Sequence, residues 1–116
     1  MGTLMETIKF AQSQREAIAK IDAIISECTS FKIGKTGETL LDRLNQPDYN
    51  DVYTHISSVY DGNQEDVDDM ESYLINKYIS HPKCDNKKDG DASNNDTMSE
   101  DAEEYHVYVV WNKLIY

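Results

Sequence analysis

Apolar residues return along the first quarter of the chain at the spacing of a helix face. Leu4, Ile8 and Ala11, then Ile18, Ile21, Ile25 and Cys28, recur on one side, while Gln12, Arg15, Glu16, Lys20 and Asp22 fall elsewhere. The pattern predicts an amphipathic helix over 4–28 whose stripe packs on a core or, as the lesser alternative, on a partner helix. Phe31 to Gly34 then reads as a short strand, followed by a glycine-flanked turn. A second helix opens near Thr36 or Thr39, where a side-chain oxygen can accept the first free amide hydrogens. Leu40, Leu41 and Leu44 give it a buried side. Asn45-Gln46-Pro47-Asp48 ends it, because proline disfavours helix at the residue before it. Residues 52–60 are rich in β-branched and aromatic side chains and predict a strand. Val52, Thr54, Ile56 and Ser58 share one face of it, and Tyr53, His55, Ser57 and Val59 the other. Asp61-Gly62-Asn63 is expected to turn the chain into a third helix over about 64–80. Val67, Met70, Leu74 and Tyr78 form its apolar stripe, widened by Ile75.

From Pro82 to about Glu104 the composition shifts to Asp, Asn, Ser, Gly and Lys. Such a stretch cannot bury enough surface to offset its ordering entropy, so a mobile acidic loop is expected. A DNA-mimicking acidic surface is the sharper alternative. Tyr105 to Trp111 then alternates as a strand, with Val107, Val109 and Trp111 against Tyr108 and Val110. Internal repeats are absent. The elements add up to one domain, 1–116, of the α/β (α+β) class. Its small mixed or antiparallel three-stranded sheet, formed by 31–34, 52–60 and 105–111, is covered by about three helices.

Composition narrows the setting. No apolar run approaches the ~20 residues needed to span a bilayer, so no membrane partner is expected. The N-terminus lacks a charged-then-apolar leader, and Cys28 and Cys84 form no CxxC pair. An intracellular protein (cytoplasmic or nuclear) with two reduced thiols is therefore expected. The formal net charge of −11 excludes broad electrostatic adhesion to nucleic acid, which depends on lysine and arginine displacing counterions. The charge is uneven, however. Residues 1–46 balance Lys9, Arg15, Lys20, Lys32, Lys35 and Arg43 against six acidic side chains, so a locally basic site survives. Glu65, Asp66, Asp68 and Asp69 are accounted for by the positive end of the third helix's dipole. Glu71 lies on the flank of that helix's buried face, where its carboxylate is expected to be partly exposed.

The candidate chemistry begins at Gly34-Lys35-Thr36. A strand, a tight glycine turn and a helix start can hold a phosphate, since helix-start amides point outward and Lys32, Lys35 and Arg43 add charge. The spacing is not that of a Walker loop, and an ordinary strand-to-helix connection with surface lysines is the bland alternative. His81-Pro82-Lys83-Cys84 offers too few donors for a structural zinc without remote ligands. His55 and His106, on predicted strands, read as packing or surface residues.

Ile33-Gly34-x-Thr36 with Arg43 on the following helix resembles the second half of the GIY-YIG nuclease signature. It is more closely similar to the phage- and virus-associated branch in which Lys-Ile-Gly stands where other members have Tyr-Ile-Gly. The resemblance implies a small α/β endonuclease that hydrolyses phosphodiester bonds of nucleic acid. Such enzymes use a tyrosine, an arginine and one glutamate-bound divalent metal, Mg²⁺ or Mn²⁺. The family's first motif, a strand ending in tyrosine, normally comes first; here a helix precedes Phe31. Val107-Tyr108-Val109-Val110 resembles that strand, so the order is that of a permuted domain with Tyr108 as the first-motif tyrosine. Glu71, within Met70-Glu71-Ser72-Tyr73-Leu74-Ile75, resembles the metal-binding glutamate, and Asn86 is a weaker match to a later family asparagine.

The implied roles are chemically coherent. Arg43 would brace phosphoryl oxygens with its rigid fork of donors, and Glu71 would hold Mg²⁺. Tyr108 would orient or deprotonate the water, with Lys32 lowering the phenol from its usual pKa of about 10. Gly34, Lys35 and Thr36 would bind phosphate. Each residue has a plainer alternative: a surface ion pair for Arg43, strand packing for Tyr108, a salt bridge for Glu71, a blunted strand edge for Lys32. The competing function is a non-catalytic scaffold that binds a protein through its acidic second half, or through the exposed side of the first helix.

Overall fold

A computed structural model of the chain describes residues 4–37, 40–45, 49, 52–86 and 104–113. The elements follow in the order α1 (Leu4–Ile25), β1 (Cys28–Thr36), α2 (Leu40–Leu44), β2 (His55–Gly62), α3 (Gln64–Tyr78) and β3 (Tyr105–Lys113). The three strands form one sheet in the order β1-β3-β2, and both pairings are antiparallel. This is the small α+β architecture expected from the alternation of helical and strand periods.

The departures from expectation lie at the element ends, and each has a local cause. The first helix stops at Ile25 because Ser26 and Glu27 close a turn onto Asp22 and Ile24, so Cys28 is buried in the first strand and not in the helix. β1 continues past Gly34 through Lys35 and Thr36, which pair with Val107 and His106. Both side chains are polar yet buried, a combination that hydrophobic patterning does not register. Asp61 and Gly62 continue β2 beside His106 and Tyr105, after a register shift between Ser58 and Tyr60. The inserted residue bends the strand and re-aims the side chains beyond it. Asn63 then caps α3, its side-chain oxygen accepting from the Asp66 amide at 2.8 Å, as an N-cap residue should.

Alternation divides the sheet into two faces. Phe31, Ile33, Val59, Val107 and Val109 lie against Ala17 and Ile21 of α1 and Val67, Met70, Leu74, Ile75 and Tyr78 of α3. The other face carries Tyr108, Val110 and Ile56 beneath Leu40 and Leu44 of α2, with Tyr49 and Tyr53. One face is a mainly aliphatic core, and the other centres on Tyr49, Tyr53 and Tyr108.

The expected mobile loop at 82–104 needs correction at its start. Residues 83–86 lie along the outer edge of β1. The Phe31 amide donates to the Lys83 carbonyl at 2.9 Å, and the Asp85 amide donates to the Phe31 carbonyl at 2.7 Å. Asn86 completes this cover. Its Oδ1 accepts from the Ile33 amide at 2.9 Å and its Nδ2 donates to the Ile33 carbonyl at 3.0 Å, so one side-chain amide replaces a neighbouring strand residue. The rest of the predicted loop, 87–103, lies outside the described residues.

Truncating that amide leaves two buried backbone groups unpaired. Asn86→Ala is therefore expected to lower the unfolding free energy by about 2 kcal/mol, measured by urea denaturation. A loss below about 0.5 kcal/mol would show that Asn86 does not satisfy Ile33 in solution.

Candidate functional site

The site is organised by the pairing of β1 with β3. Gly34 stands opposite Tyr108, and Lys32 opposite Val110. Cross-strand partners share a face, so the Tyr108 ring lies across the backbone of Gly34. A Cβ at residue 34 would sit 2.3 Å from the phenol oxygen and 2.5 Å from Cζ, closer than any side chain allows. Here the missing Cβ gives room for a ring rather than freedom to turn.

Arg43, in the last turn of α2, reaches the same hydroxyl. Its Nε–H donates to the Tyr108 oxygen at 3.0 Å, while its guanidinium carbon lies 4.2 Å from the Tyr49 ring centroid. The hydroxyls of Tyr49 and Tyr108 share a hydrogen bond of 2.8 Å, and the two rings meet edge to face at 5.9 Å. Lys32 Nζ lies 5.7 Å from the Tyr49 centroid. Behind Tyr49, Tyr53 packs edge to face and donates its hydroxyl hydrogen to Asp85 at 2.7 Å. Three of the residues expected in the site, Tyr108, Arg43 and Lys32, thus gather around Tyr49. Nothing in the sequence pattern singled out Tyr49.

The electrostatics revise the role expected of Tyr108. Burial pushes its phenol well above the ordinary value of 10, Tyr49 adds to the rise, and Arg43 only partly opposes it. The expected lowering by Lys32 does not arise. Tyr108 is therefore a neutral phenol that accepts from Arg43 and can donate, and a phenol in that state is no base at neutral pH.

Glu71 is placed elsewhere. It is 0% exposed on the buried side of α3, among Met70, Leu74 and Ile75, and is not partly exposed on a flank as expected. Lys35 faces it from β1, with Nζ 3.9 Å from Glu71 Oε1 and 2.6 Å from Asp68 Oδ1. Lys35 alternates with Gly34 along the strand, so this ionic group lies on the α1–α3 side and the Tyr108–Arg43 pair on the α2 side. A resident divalent ion at Glu71 does not fit this arrangement: one sequestered carboxylate is offered, and the cation beside it is an ammonium. Lys35 and Thr36 do not form a phosphate-binding turn either. With Gly34 they lie in extended strand, and Lys35 is directed inward to two carboxylates.

A third cluster lies on the Tyr108 side, at the far end of the sheet. Asp61 pairs across the strands with His106, two residues from Tyr108 and therefore on its face. His106 Nδ1 lies 2.5 Å from Asp61 Oδ1, and Ser58 Oγ donates to the same oxygen at 2.5 Å. Burial raises the Asp61 carboxyl, but the hydrogen bonds from Ser58 and His106 outweigh it and hold the group below its usual value. Sequence reasoning assigned Asp61 to a turn and His106 to packing or surface. The cross-strand register that unites them has no signature in either segment.

Two measurements test the geometry. Gly34→Ala must displace the Tyr108 ring and is expected to cost about 1–3 kcal/mol. In a Tyr108→Leu background that cost should shrink by more than about 0.5 kcal/mol, because the two sites share one contact; strict additivity would refute the close approach. The second test uses alkaline pH. The phenols of Tyr53, Tyr78 and Tyr108 are all raised, first by burial, then by Asp85, Asp22 and Tyr49 respectively. Each holds its proton more tightly folded than unfolded, so its stabilisation is complete below about pH 10 and fades above it. Ultraviolet titration of the eight tyrosines should show at least three that ionise only as the fold is lost. Ionisation of all eight in the folded state would contradict this burial.

Among the described residues, no helix is long and apolar enough to cross a membrane. Comparison with family models, with curated proteins and with solved structures gives no match.

Proposed function

We propose that the chain is a GIY-YIG-like nuclease that hydrolyses phosphodiester bonds of nucleic acid on the Tyr108 side of its sheet. One observation carries the reading: Arg43 and Tyr108, 65 positions apart, meet at 3.0 Å over a glycine that the ring's approach requires. In the hydrolysis, water's oxygen bonds to phosphorus, the bond to the leaving oxygen breaks, and a proton passes to that oxygen. Arg43 supplies charge to the phosphoryl oxygens, where developing negative charge is best met by fixed donors. Tyr108 orients Arg43 through its hydroxyl and offers a neutral donor. Lys32 adds a second positive charge beside Tyr49. The family resemblance brings Mg²⁺ or Mn²⁺ with it, but Glu71, which Lys35 faces, is not suited to hold the ion. The same reading has the protein act inside the cell.

The second reading is a non-catalytic scaffold on the same fold that acts through its acidic surface, as a protein-interaction module or DNA mimic. It is favoured by the burial of Glu71 against Lys35, together with the net charge of −11.

The two readings separate in one assay. DNA and RNA are incubated with the wild type, Arg43→Ala and Tyr108→Phe, with and without Mg²⁺ or Mn²⁺. Cleavage by the wild type that falls about 10²-fold in Arg43→Ala is the expected result for lost charge stabilisation. Absence of cleavage, or cleavage equal in all three proteins, would remove the nuclease reading and leave the scaffold.

A further inference from the structure

We propose that Asp61, Glu104 and His106 form a divalent transition-metal site at the end of the sheet, on the face that carries Tyr108. Each residue offers one ligand atom, and these atoms all lie within 4.8 Å of one another. Two donors about 2.1 Å from one ion stand at most about 4.2 Å apart, so a small side-chain adjustment closes the set. Two carboxylates with an imidazole suit Mn²⁺ or Zn²⁺ better than Mg²⁺, which favours oxygen ligands alone.

The backbone that carries these donors is not a free loop. Asp61 and His106 are cross-strand partners in the sheet, and Glu104 immediately precedes β3. The register shift between Ser58 and Tyr60 brings Asp61 onto this face. The Ser58 hydroxyl holds Asp61 Oδ1, the kind of outer hydrogen bond that orients a ligating carboxylate. An ion pair alone explains less of the charge. One imidazole faces two carboxylates, so the group stays negative even with His106 protonated, and Lys20 of α1 is the further cation whose field reaches Asp61. A divalent ion would cancel both carboxylates at once. The contrast with Glu71 is direct: there a lysine already stands as counter-charge, whereas here the carboxylates face outward, Asp61 with 49% of its side chain exposed.

The inference concerns binding and stands apart from the nuclease reading. It is tested on the whole chain with the metal alone. Calorimetric titration with Mn²⁺ is expected to show one equivalent. His106→Ala and Asp61→Asn should each weaken binding at least about tenfold, and Ser58→Ala by about tenfold. Glu71→Gln should leave it unchanged. In the wild type, Mn²⁺ should broaden the His106 ring-proton resonances before those of His55 and His81, a readout that needs no variant to fold. No saturable binding at millimolar Mn²⁺, or broadening without preference for His106, would leave only a His106–Asp61 ion pair and overturn the proposal. So would binding lost in Glu71→Gln and kept in His106→Ala.

Discussion

The contact between Gly34 and the Tyr108 ring sets most of what surrounds it. It requires β1 and β3 to pair in one register, because a shift of one residue reverses which face every side chain occupies. A slipped β1 would put Lys35 against the phenols and deny it Asp68 and Glu71, while Ile33 would leave the aliphatic core. The same contact positions α2, whose Arg43 reaches the Tyr108 hydroxyl and the Tyr49 ring. A side chain missing at one strand position thus fixes the register, the aromatic cluster and the place of the guanidinium together.

The two faces solve the problem of burying polarity differently. On the α1–α3 side the buried charges are Lys35 and Glu71, and the half-exposed Asp68 is the ammonium's nearer partner. Such groups are costly to desolvate, and a well-packed apolar replacement is often no less stable. Their physical effect is alignment: α3 docks with its first turns over the end of β1, where the ammonium meets both carboxylates. On the α2 side the buried polar groups are neutral hydroxyls, satisfied by one another, by Arg43 and by Asp85. Neutral phenols can be buried at lower desolvation cost than charges. That is why this face can hold polar side chains beneath a helix of only five residues.

Periodicity made much of this legible. The α3 stripe of Val67, Met70, Leu74, Ile75 and Tyr78 is buried as its spacing requires, and the strand at 105–111 is the centre of the sheet. The association of Tyr108 with Arg43 was accessible through motif resemblance, since nothing local links residues so far apart. What patterning could not supply was the partner of a polar residue. Lys35 and Thr36 look like loop residues until their carboxylate and strand partners are known, and so β1 appears to end two residues too early. Glu71 looks like a flank residue for the same reason. Asp61-Gly62 carries turn chemistry that the β3 pairing overrides, and the register shift beside it depends on two strands at once. Asn86, in a stretch whose composition suggests a loop, is ordered because its amide completes a strand edge.

The overall acidity and the cationic centre of the α2 face are compatible because charge acts over a short range. At physiological ionic strength fields decay over about 8 Å, so a ligand at Tyr49 responds first to Arg43 and Lys32, which lie against that ring. Acidic residues beyond that range act on the approach of a polyanion more than on its bound state, and they oppose non-specific contact along its length. On the proposed reading, a phosphate would be engaged only where its geometry is met, close to the guanidinium. Recognition by position, with little help from net charge, is the physical constraint under which any nucleic-acid chemistry on this face must operate.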